Sequence, residues 1–407
     1  MTTPEPTRAF RLEIDGVGEF DEWTSAEVGV DLKDLSWTFS FYLRDDTRSA
    51  ATFVYSSEDK LYRVRQGAKV KIFINDTHVL TGKIKTASPH INDDFAEITI
   101  SGEDKTGDLI DSAAVPEGPS EFKNMKLEDF AARITEPFNI PVRTDIDTGD
   151  LFRRLDVDLP ETALSAIEGA ARKRYALLTS DGTTGLLITR TGASKAPADI
   201  KLPGNVLDAS ASFTEKGRHS ETIVIGQAEA LDGDRKGRKA SQSPSQGAKR
   251  PEDRQATDGS ATTRERRGTA ITRRIRDEEV KDHRPKVHLA KGLTTAQATQ
   301  DEADWRQRTA RGEAEDTTYQ VRGFDVNGSL WHANQIVGVD DAFLGIKRDM
   351  VISAINYSYK EETETTSLTV SSPESFDNQP TGSRRSNTST SKKGGASTGL
   401  DGLANRL

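Results

Sequence analysis

Two long stretches of the sequence alternate between apolar and polar residues, and this alternation constrains the fold more than any other feature. The first stretch covers residues 67–105 and is interrupted by the turn residues Asn75-Asp76 and Asn92–Asp94. Its apolar members are Val70, Ile72, Ile74, Ile98 and Ile100. Alternation with period two, broken by Asn, Asp and Gly, is typical of an antiparallel β-meander with one buried face.

The second stretch, residues 331–375, repeats this pattern near the C-terminus. Ile336, Val337 and Val339 precede the acidic pair Asp340-Asp341, and two further alternating segments follow at 350–359 and 368–370. Similar strands lie upstream of both stretches, at 36–41 and at 318–324. Because both stretches and the strands upstream of them correspond, we interpret them as two copies of one small antiparallel β-barrel. Two unrelated meanders would give the same alternation.

Length and composition set the outer limits. A chain of 407 residues predicts two to four domains, and 34% hydrophobic with 30% charged residues indicates that much of it is exposed. The chain has no cysteine, and it contains no run of about 18 apolar residues that would span a membrane. No signal peptide is recognisable in MTTPEPTRAF. A net charge of −9 disfavours a protein whose main task is to grip nucleic acid.

The predicted fold class is mainly β with α+β insertions, that is, two similar small barrels plus an α+β domain. In the α+β part, Leu127, Phe130, Ala131 and Ile134 mark one face of a helix that Asn124 would cap and Pro137 would end. A second helix is predicted over 160–174, followed by a hairpin around 181–185. The predicted domains are a first barrel at 8–114, the α+β domain at 115–200, a second barrel at 201–228 and 313–378, a flexible charged loop at 229–268, a strand–helix insertion at 269–312 and a flexible Gly/Ser-rich tail at 379–407.

Within the strand–helix insertion, short strands are expected at 269–276 and 285–289, before a helix over 294–311. Thr294 and Gln297 would form a capping box at the start of this helix, and Gly312 would be its C′ residue.

The sequence lacks the motifs of common catalytic and cofactor sites. P-loop, dinucleotide, H-E-x-x-H and G-x-S-x-G patterns are all absent. His283 and His288 lie five apart on a charged stretch, which is a weak metal signal, and the pairs Asp93-Asp94 and Asp340-Asp341 fall where turns favour Asp. We therefore predict no catalytic residues, no metal site, no cofactor and no enzymatic activity.

Two polar segments contain possible contact residues. The loop 229–268 carries basic side chains that would suit an acidic partner or nucleic acid, although interspersed acids favour a solvated tether. These are Arg235, Lys236, Arg238, Lys239, Arg264, Arg266 and Arg267. In the tail, Leu400, Leu403 and Leu407 are spaced as in a short docking peptide.

The order of several short stretches resembles the baseplate hub proteins of Mu-like contractile-tailed phages, the gpP-type tail proteins. The stretches that carry the resemblance are Gly102–Ser112, Phe122-x-Asn124-x-x-Leu127, Pro137-Phe138-x-Ile140, Gly204-Asn205-Val206, Arg218-His219-Ser220, Ile225-Gly226-Gln227, Leu330-Trp331-x-x-Asn334 and Ser372–Phe376. The resemblance covers residues 8–378. Region 229–268 departs from it, being longer and more charged, and the Gly-rich tail lies outside it.

The resemblance implies a structural virion protein of the tail baseplate, assembled in the host cytoplasm. Hubs of this kind are homotrimeric rings that adapt a threefold spike to a sixfold tail tube, with DNA passing through during ejection. The implied partners are two further copies, the spike, tube or tube-adaptor proteins and other baseplate proteins, with no membrane insertion. An acidic lining would keep such a passage non-adhesive. Alternatives are the hub of a contractile injection or secretion device and, in another class, a glycan-binding or glycan-degrading tail protein.

Overall fold

The computed structural model describes residues 9–54, 57–115, 120–158, 160–228, 270–294 and 296–376. Strands dominate and helices are few, so the predicted mainly β class with helical insertions is confirmed. The chain divides into two compact units, the first holding residues to Ala211 and from Thr317 to Pro373, the second Ser212 to Asp316 and a short C-terminal piece from Glu374. The predicted flexible loop 229–268 and tail 379–407, with their basic and leucine residues, lie outside the described residues.

The first region forms the strands that the period-two pattern predicts. Its strands are β1 Phe10–Ile14, β2 Gly18–Phe20, β3 Ser25–Asp31, β4 Trp37–Asp45, β5 Lys69–Ile74, β6 Thr77–Ile91 and β7 Ala96–Asp104, followed by the short helix α1 Gly107–Asp111. Apolar residues occupy one face of each long strand; in β4, Trp37, Phe39 and Phe41 are buried while Thr38 is exposed. Burial of that face drives the sheet to form.

The α+β region follows. It comprises β8 Glu121–Met125, α2 Leu127–Thr135, β9 Val142–Thr144, β10 Phe152–Asp156, α3 Ala163–Arg172, β11 Leu177–Ser180 and β12 Leu186–Thr189. The predicted buried face of α2 is confirmed, since its four apolar residues are all buried. The predicted cap is wrong: Asn124 lies in β8 with a φ of 52°, and Lys126 occupies the N-cap position without a side-chain bond.

Helix α3 begins at Ala163, later than the predicted start at residue 160. Thr162 is the N-cap, and its hydroxyl accepts a hydrogen bond from the Ser165 N–H at 3.2 Å. The buried stripe of this helix consists mostly of alanines with Ile167, and Leu164 is only half-buried. Close packing of this alanine-rich face holds α3 against the small sheets of this region.

The second unit is built on three strands and one helix. Before it in the chain come β13 Ser194–Lys195 and β14 Ile200–Leu202 of the first unit, and β15 Val206–Phe213, whose last two residues belong to the second unit. The other elements of the second unit are β16 Glu221–Ala228, β17 Ala270–Arg276, β18 Pro285–Thr294 and α4 Ala296–Glu313. The expected strands at 269–276 and 285–289 are confirmed. The expected place of 221–227 in the second barrel is wrong, because β16 pairs with β17 and β18 in a separate sheet.

The apolar residues of β16 explain this correction. Val224 is fully buried and helix α4 packs on β16 and β17, so the strand has its own core inside the second unit. A charged cluster supports this packing: the buried Asp277 carboxylate lies 2.8 Å from the Arg218 guanidinium and 3.2 Å from that of Arg311. These ion pairs lower the pKa of Asp277 against the opposing effect of burial.

Helix α4 continues past the glycine that we expected to end it. Gly312 lies inside the helix, where a Cβ would come within 2.8 Å of the Cα and Cβ of Ser375. Glycine is therefore required at 312 for close approach to the short 3₁₀ turn Pro373–Ser375, and not for a left-handed C-terminus. The side chains of Thr294 and Gln297, the proposed capping box, lie outside the described part of the structure.

The remaining strands return to the first unit. They are β19 Glu315–Arg322, β20 Asp325–Val326, β21 Ser329–Leu330, β22 Gln335–Asp341, β23 Ile346–Lys360 and β24 Thr363–Ser371. They join one large sheet in the order β15-β19-β24-β23-β3-β4-β7-β6-β5-β1-β2, with β22 pairing β23 beside this path. Among the described residues no pair closes the sheet into a barrel, so barrel closure and the individual domain boundaries stay predictions.

Asp104 ties the end of β7 to the α+β region. Its carboxylate is buried and accepts hydrogen bonds from the Ser36 hydroxyl at 2.8 Å, from the Thr106 backbone and hydroxyl, and from the Ser180 hydroxyl. The Trp37 indole N–H also donates to the Ser180 carbonyl at 3.2 Å. Burial raises the pKa of Asp104, while the three hydroxyl donors act in the opposite direction.

Substitution of Asp104 by Asn should destabilise the chain by about 1–3 kcal/mol, because the amide keeps only one acceptor oxygen and leaves a buried donor without a partner. A carboxyl whose pKa is raised on folding stabilises fully below its unfolded value of 3.8 and loses that contribution as pH rises through the folded value. The advantage of the parent over D104N should therefore be largest below the unfolded pKa and shrink as pH rises through the raised folded pKa. Chemical denaturation across this range measures it.

Asp108→Asn is the matched control, because ion pairs with Lys83 and Lys85 lower the pKa of Asp108 although burial opposes them. Its contribution is present at neutral pH and is lost as pH falls through the lowered folded value. The two variants should thus show opposite pH slopes. Equal slopes would contradict the assigned environment of Asp104.

Gly312→Ala should destabilise the protein by about 1–3 kcal/mol, because the added methyl overlaps Ser375. Gly169→Ala in α3 is the control, since nothing lies within 4 Å of its new methyl group and alanine favours a helix by up to about 1 kcal/mol. Thermal unfolding of both variants tests the close approach at Gly312. A stabilised G312A would show that the contact with Ser375 does not hold.

Candidate functional site

The structure places two equivalent meanders within one sheet. The first meander consists of β4, β5, β6 and β7, and the second of β19, β22, β23 and β24. In both, the spatial order runs from the first strand through the last to the third and second: β4-β7-β6-β5 and β19-β24-β23-β22. The third strand has 15 residues and the last has 9 residues in each meander.

The two meanders also share their register. Ile84 pairs with Gly102 in the first, and Ile352 pairs with Val370 in the second, both at the same spacing along the chain. Each third strand then has a β-bulge, between Ile84 and Thr86 in β6 and between Ile352 and Ala354 in β23. A bulge is a specific local feature, so its presence at equivalent positions indicates a duplicated unit.

One contact joins the two meanders inside the chain. Strand β3 pairs with β4 of the first meander on one side and with residues 354–360 of β23 on the other. In this pairing Ile355 lies opposite Val30, and Tyr357 lies opposite Val28. All four side chains are buried in the same core cluster, so the two meanders share one hydrophobic interior.

The segments equivalent to β3 and to residues 354–359 of β23 do not pair with each other within the chain. Residues 86–91 of β6 correspond to 354–359 of β23, and β15 pairs with β19 as β3 pairs with β4. In the described part of the chain, no strand pairs with the far side of β15 or with the side of 86–91 that β5 leaves uncovered. We call these the β15 edge and the β6 edge. Most of their residues are exposed.

The sheet face opposite the core is polar and rich in hydroxyl groups. Cross-strand pairs such as Ser40–Ser101, Ser358–Thr365 and Thr318–Thr369 place these side chains in rows. The hydroxyl-bearing members are Ser25, Thr38, Ser40, Thr86, Ser88, Thr99, Ser101, Thr318, Ser358, Thr363, Thr365, Ser367 and Thr369. A shallow cleft on this face includes Gly29, Gly102 and Asn356.

Charges on this polar face are balanced. Its acidic members are Glu27, Asp31, Glu97 and Glu103, and its basic members are Arg44, Lys83, Lys85, Arg322 and Lys360. The Lys85 ammonium lies 2.5 Å from Glu103 and 3.2 Å from Asp108, and these partners raise its pKa against burial. The acidic and basic side chains on this face are therefore similar in number.

The carboxylates of the two acidic pairs are separated by the fold. Asp341 is buried and accepts a hydrogen bond from the Tyr319 hydroxyl at 2.8 Å, whereas Asp340 is exposed and pairs with Lys347. Asp93 and Asp94 are exposed in the β6–β7 turn. None of these residues forms a pair of carboxylates facing a common cleft. They serve turns and local ion pairs.

The histidine pair gives no metal centre. His283 is exposed ahead of β18, and His288 is half-buried within that strand. Among the described residues, no group of three His, Cys, Asp or Glu side chains is arranged to hold a metal ion. In the same part of the chain, no helix has the length and apolar character needed to cross a membrane.

Sequence reasoning missed the two edges and the contact between meanders. Alternation identifies which side of a strand is buried, but it does not say which strands are neighbours. The nearest signal was the similarity between the two alternating stretches. When a unit is duplicated and the copies pair through one edge of each, the equivalent second pair of edges has no partner within the chain.

Three family models match the chain in order. They are the GpP-like N-terminal domain of the Mu phage baseplate assembly protein at residues 9–104, the second domain of gp44-like baseplate hub proteins at 106–190, and the fourth domain of GpP at 294–379. Together they span both meanders and the α+β region between them.

Individual relatives agree with these matches. The baseplate hub protein gp44 of Escherichia phage Mu is 29% identical over 296 residues, covering 71% of this chain and 70% of that protein. The 43 kDa tail protein of prophage MuSo2 from Shewanella oneidensis has the same fold with a TM-score of 0.72 at 24% identity, covering 90% of this chain and 99% of that one. A tail protein from Neisseria meningitidis gives a TM-score of 0.68 at 18% identity, covering 91% and 98%. The chain belongs to the Mu-like baseplate hub family.

Proposed function

We propose that this protein is a non-enzymatic structural hub, a homotrimeric ring that adapts a threefold spike to a sixfold tail tube in the virion. Assembly takes place in the host cytoplasm, and the ring forms part of the channel through which DNA leaves. The observation that carries the proposal is the duplicated meander with its two unpaired edges. Three chains would supply six near-equivalent meanders, so the ring would have threefold symmetry toward the spike and near-sixfold symmetry toward the tube.

The internal β3–β23 pairing is the template for contacts between chains. The β15 edge of one chain would pair with the β6 edge of the next, as β3 pairs with β23 within a chain. These two edges are different surfaces, so the contact is head-to-tail and closes into a ring only when the rotation fits. Closure would satisfy the exposed backbone groups that make an isolated edge prone to aggregation.

Pro89 adds a restriction to the β6 edge. It lies opposite Ile98 of β7 and has no N–H, so one ladder bond is missing from any pairing on this edge. Proline at an edge disfavours indiscriminate strand addition. The contact between chains would therefore depend on the shared core beneath the edges as well as on backbone hydrogen bonds.

The polar face would line the passage. Its balanced charges and hydroxyl groups offer few unpaired cations to phosphate, so DNA gains little by binding. If this face lines the passage, non-adhesion would follow from its neutrality and hydration, whereas the acidic lining stays an untested expectation.

The alternatives receive less support. The matched family models describe phage baseplate proteins, which favours a phage hub over an injection or secretion device. A glycan-degrading role needs two carboxyls across a sugar, whereas Asp93-Asp94 and Asp340-Asp341 belong to turns. The large aromatic side chains Trp331 and Tyr357 are buried, and therefore form no sugar-binding platform.

A cysteine pair tests the contact between chains, because the parent has no cysteine. Ser88 corresponds to Asn356, which lies opposite Gly29 of β3. The double variants Ser88→Cys with Ser210→Cys, and Ser88→Cys with Ser212→Cys, should form covalent dimers and trimers after oxidation. The trimer should be the largest covalent species. Denaturing electrophoresis without reductant, beside native mass in solution, gives the readout.

The pair Glu27→Cys with Ser358→Cys is the positive control, because these residues lie opposite each other within one chain and should cross-link internally. Ser88→Cys alone should give no trimer. A strictly monomeric native mass with no cross-link, also in the presence of the co-expressed spike, would refute the ring.

Added charge on the polar face tests the passage. The trimer of Ser40→Lys with Thr365→Lys should bind double-stranded DNA, with affinity falling steeply as salt rises, because each new phosphate contact adds about 0.9 to the salt slope. The neutral variant Ser40→Gln with Thr365→Gln should resemble the parent, which we expect to bind weakly near physiological ionic strength. Fluorescence anisotropy with a labelled duplex measures both. Tight binding by the parent would contradict a non-adhesive lining.

A further inference from the structure

The directions of the strands fix which turns share an end of the sheet. From β6 through β7, β4 and β3 to β23, each neighbour is antiparallel to the previous one, so β6 and β23 run in the same direction. The β5–β6 turn and the β22–β23 turn therefore lie at one end. The β6–β7 and β23–β24 turns lie at the opposite end.

The two meanders match at the second of these ends. The β6–β7 turn contains Asp93 and Asp94, and the β23–β24 turn contains Glu361 and Glu362 at the equivalent positions. Both turns have the same length, since Ile91 pairs with Ala96 and Tyr359 pairs with Glu364. A partner at this end would meet similar acidic turns on both meanders.

The meanders differ at the first end. The β5–β6 turn is the tight polar pair Asn75-Asp76, and the Asn75 amide donates to Asp325 at 3.4 Å. The β22–β23 turn is longer, because the paired residues Asp341 and Ile346 enclose four others. Its tip carries Phe343, whose residue surface is 79% exposed.

The β22–β23 turn is held rigidly. One carboxylate oxygen of buried Asp341 accepts hydrogen bonds from the backbone N–H groups of Phe343 at 2.8 Å and Leu344 at 3.0 Å, and the other accepts from the Tyr319 hydroxyl. The Ala342 N–H donates to the Leu202 carbonyl of β14 at 2.9 Å. The backbone that carries Phe343 is thus ordered before binding, so docking does not lose the entropy of ordering this turn.

A single exposed apolar side chain is ordinary by itself. Phe343 differs because a buried acceptor fixes its backbone N–H and because the equivalent turn of the first meander, Asn75-Asp76, carries no apolar side chain. In a trimeric ring, three such tips would alternate with three polar ones. This end of the ring would then be threefold, while the acidic end would stay close to sixfold.

We propose that the β22–β23 turn, with Phe343 at its tip, docks into an apolar pocket of the threefold partner of the ring. This inference rests on the proposed function, since it assigns the spike to the Phe343 end and leaves the acidic end to the sixfold tube. The partner is defined by its chemistry: a trimer that presents one apolar pocket per subunit.

The first test replaces Phe343 by Ser in particles assembled from the full set of tail proteins. Asp341 still fixes the turn in this variant, so the fold and the trimer mass should not change. We expect at least a tenfold loss of spike from purified particles. Val54→Ser is the control, because Val54 is also 81% exposed but lies outside the turn, and it should keep the spike.

The second test places a photo-reactive benzoyl-phenylalanine at position 343 in the same particles. An adduct with the spike subunit supports the proposal, whereas an adduct with a tube subunit, with another hub chain or with nothing overturns it. The native mass of the purified hub separates the two ideas. A trimer with the wrong adduct refutes only the docking, and a monomer throughout refutes the ring itself.

Discussion

The backbone pairing between β3 and β23 is the contact on which the rest of the architecture depends. It converts two meanders, each with one buried face, into a single sheet over one core. Without it each meander would expose an apolar strand edge and part of its interior to water. The pairing also fixes the relative register of the meanders, because a shift by one residue would place Val28 and Tyr357 on opposite faces of the sheet.

A second constraint lies where β7 meets the α+β region. Asp104 gathers hydroxyl and backbone donors from three segments of the chain, so an otherwise costly buried carboxyl becomes the centre of a hydrogen-bonded junction. Close backbone approach accompanies it, since a Cβ on Gly182 would come within 3.3 Å of the Trp37 ring. Interactions of this kind orient one region on another more specifically than apolar contact alone.

Much of the fold was predictable, and the wrong predictions have physical causes. Alternating residues identified the strands, and the i, i+3, i+4, i+7 spacing identified the buried face of α2. Both patterns can be read locally, because they distinguish the buried side of a single strand or helix from its exposed side. Pairing depends on contacts distant in the chain, so the move of 221–227 into a separate sheet had no local signal. Asn124 and Gly312 misled for a related reason. Asn and Gly both favour helix ends. Here, however, Asn124 adopts a positive φ within a strand, and Gly312 allows the close approach of Ser375 to helix α4.

The candidate interface was the part least accessible from sequence. Family resemblance implied a ring, but no residue pattern marked β15 and residues 86–91 as edges, since both are ordinary polar segments. The shared bulge has a consequence for the shape of such a ring. A bulge increases local twist and bends its strand, and each meander carries one at the same height. Curvature would then recur at regular intervals around the circumference, so the bore of the ring would be set by strand geometry within each chain and not by the proteins stacked above and below it.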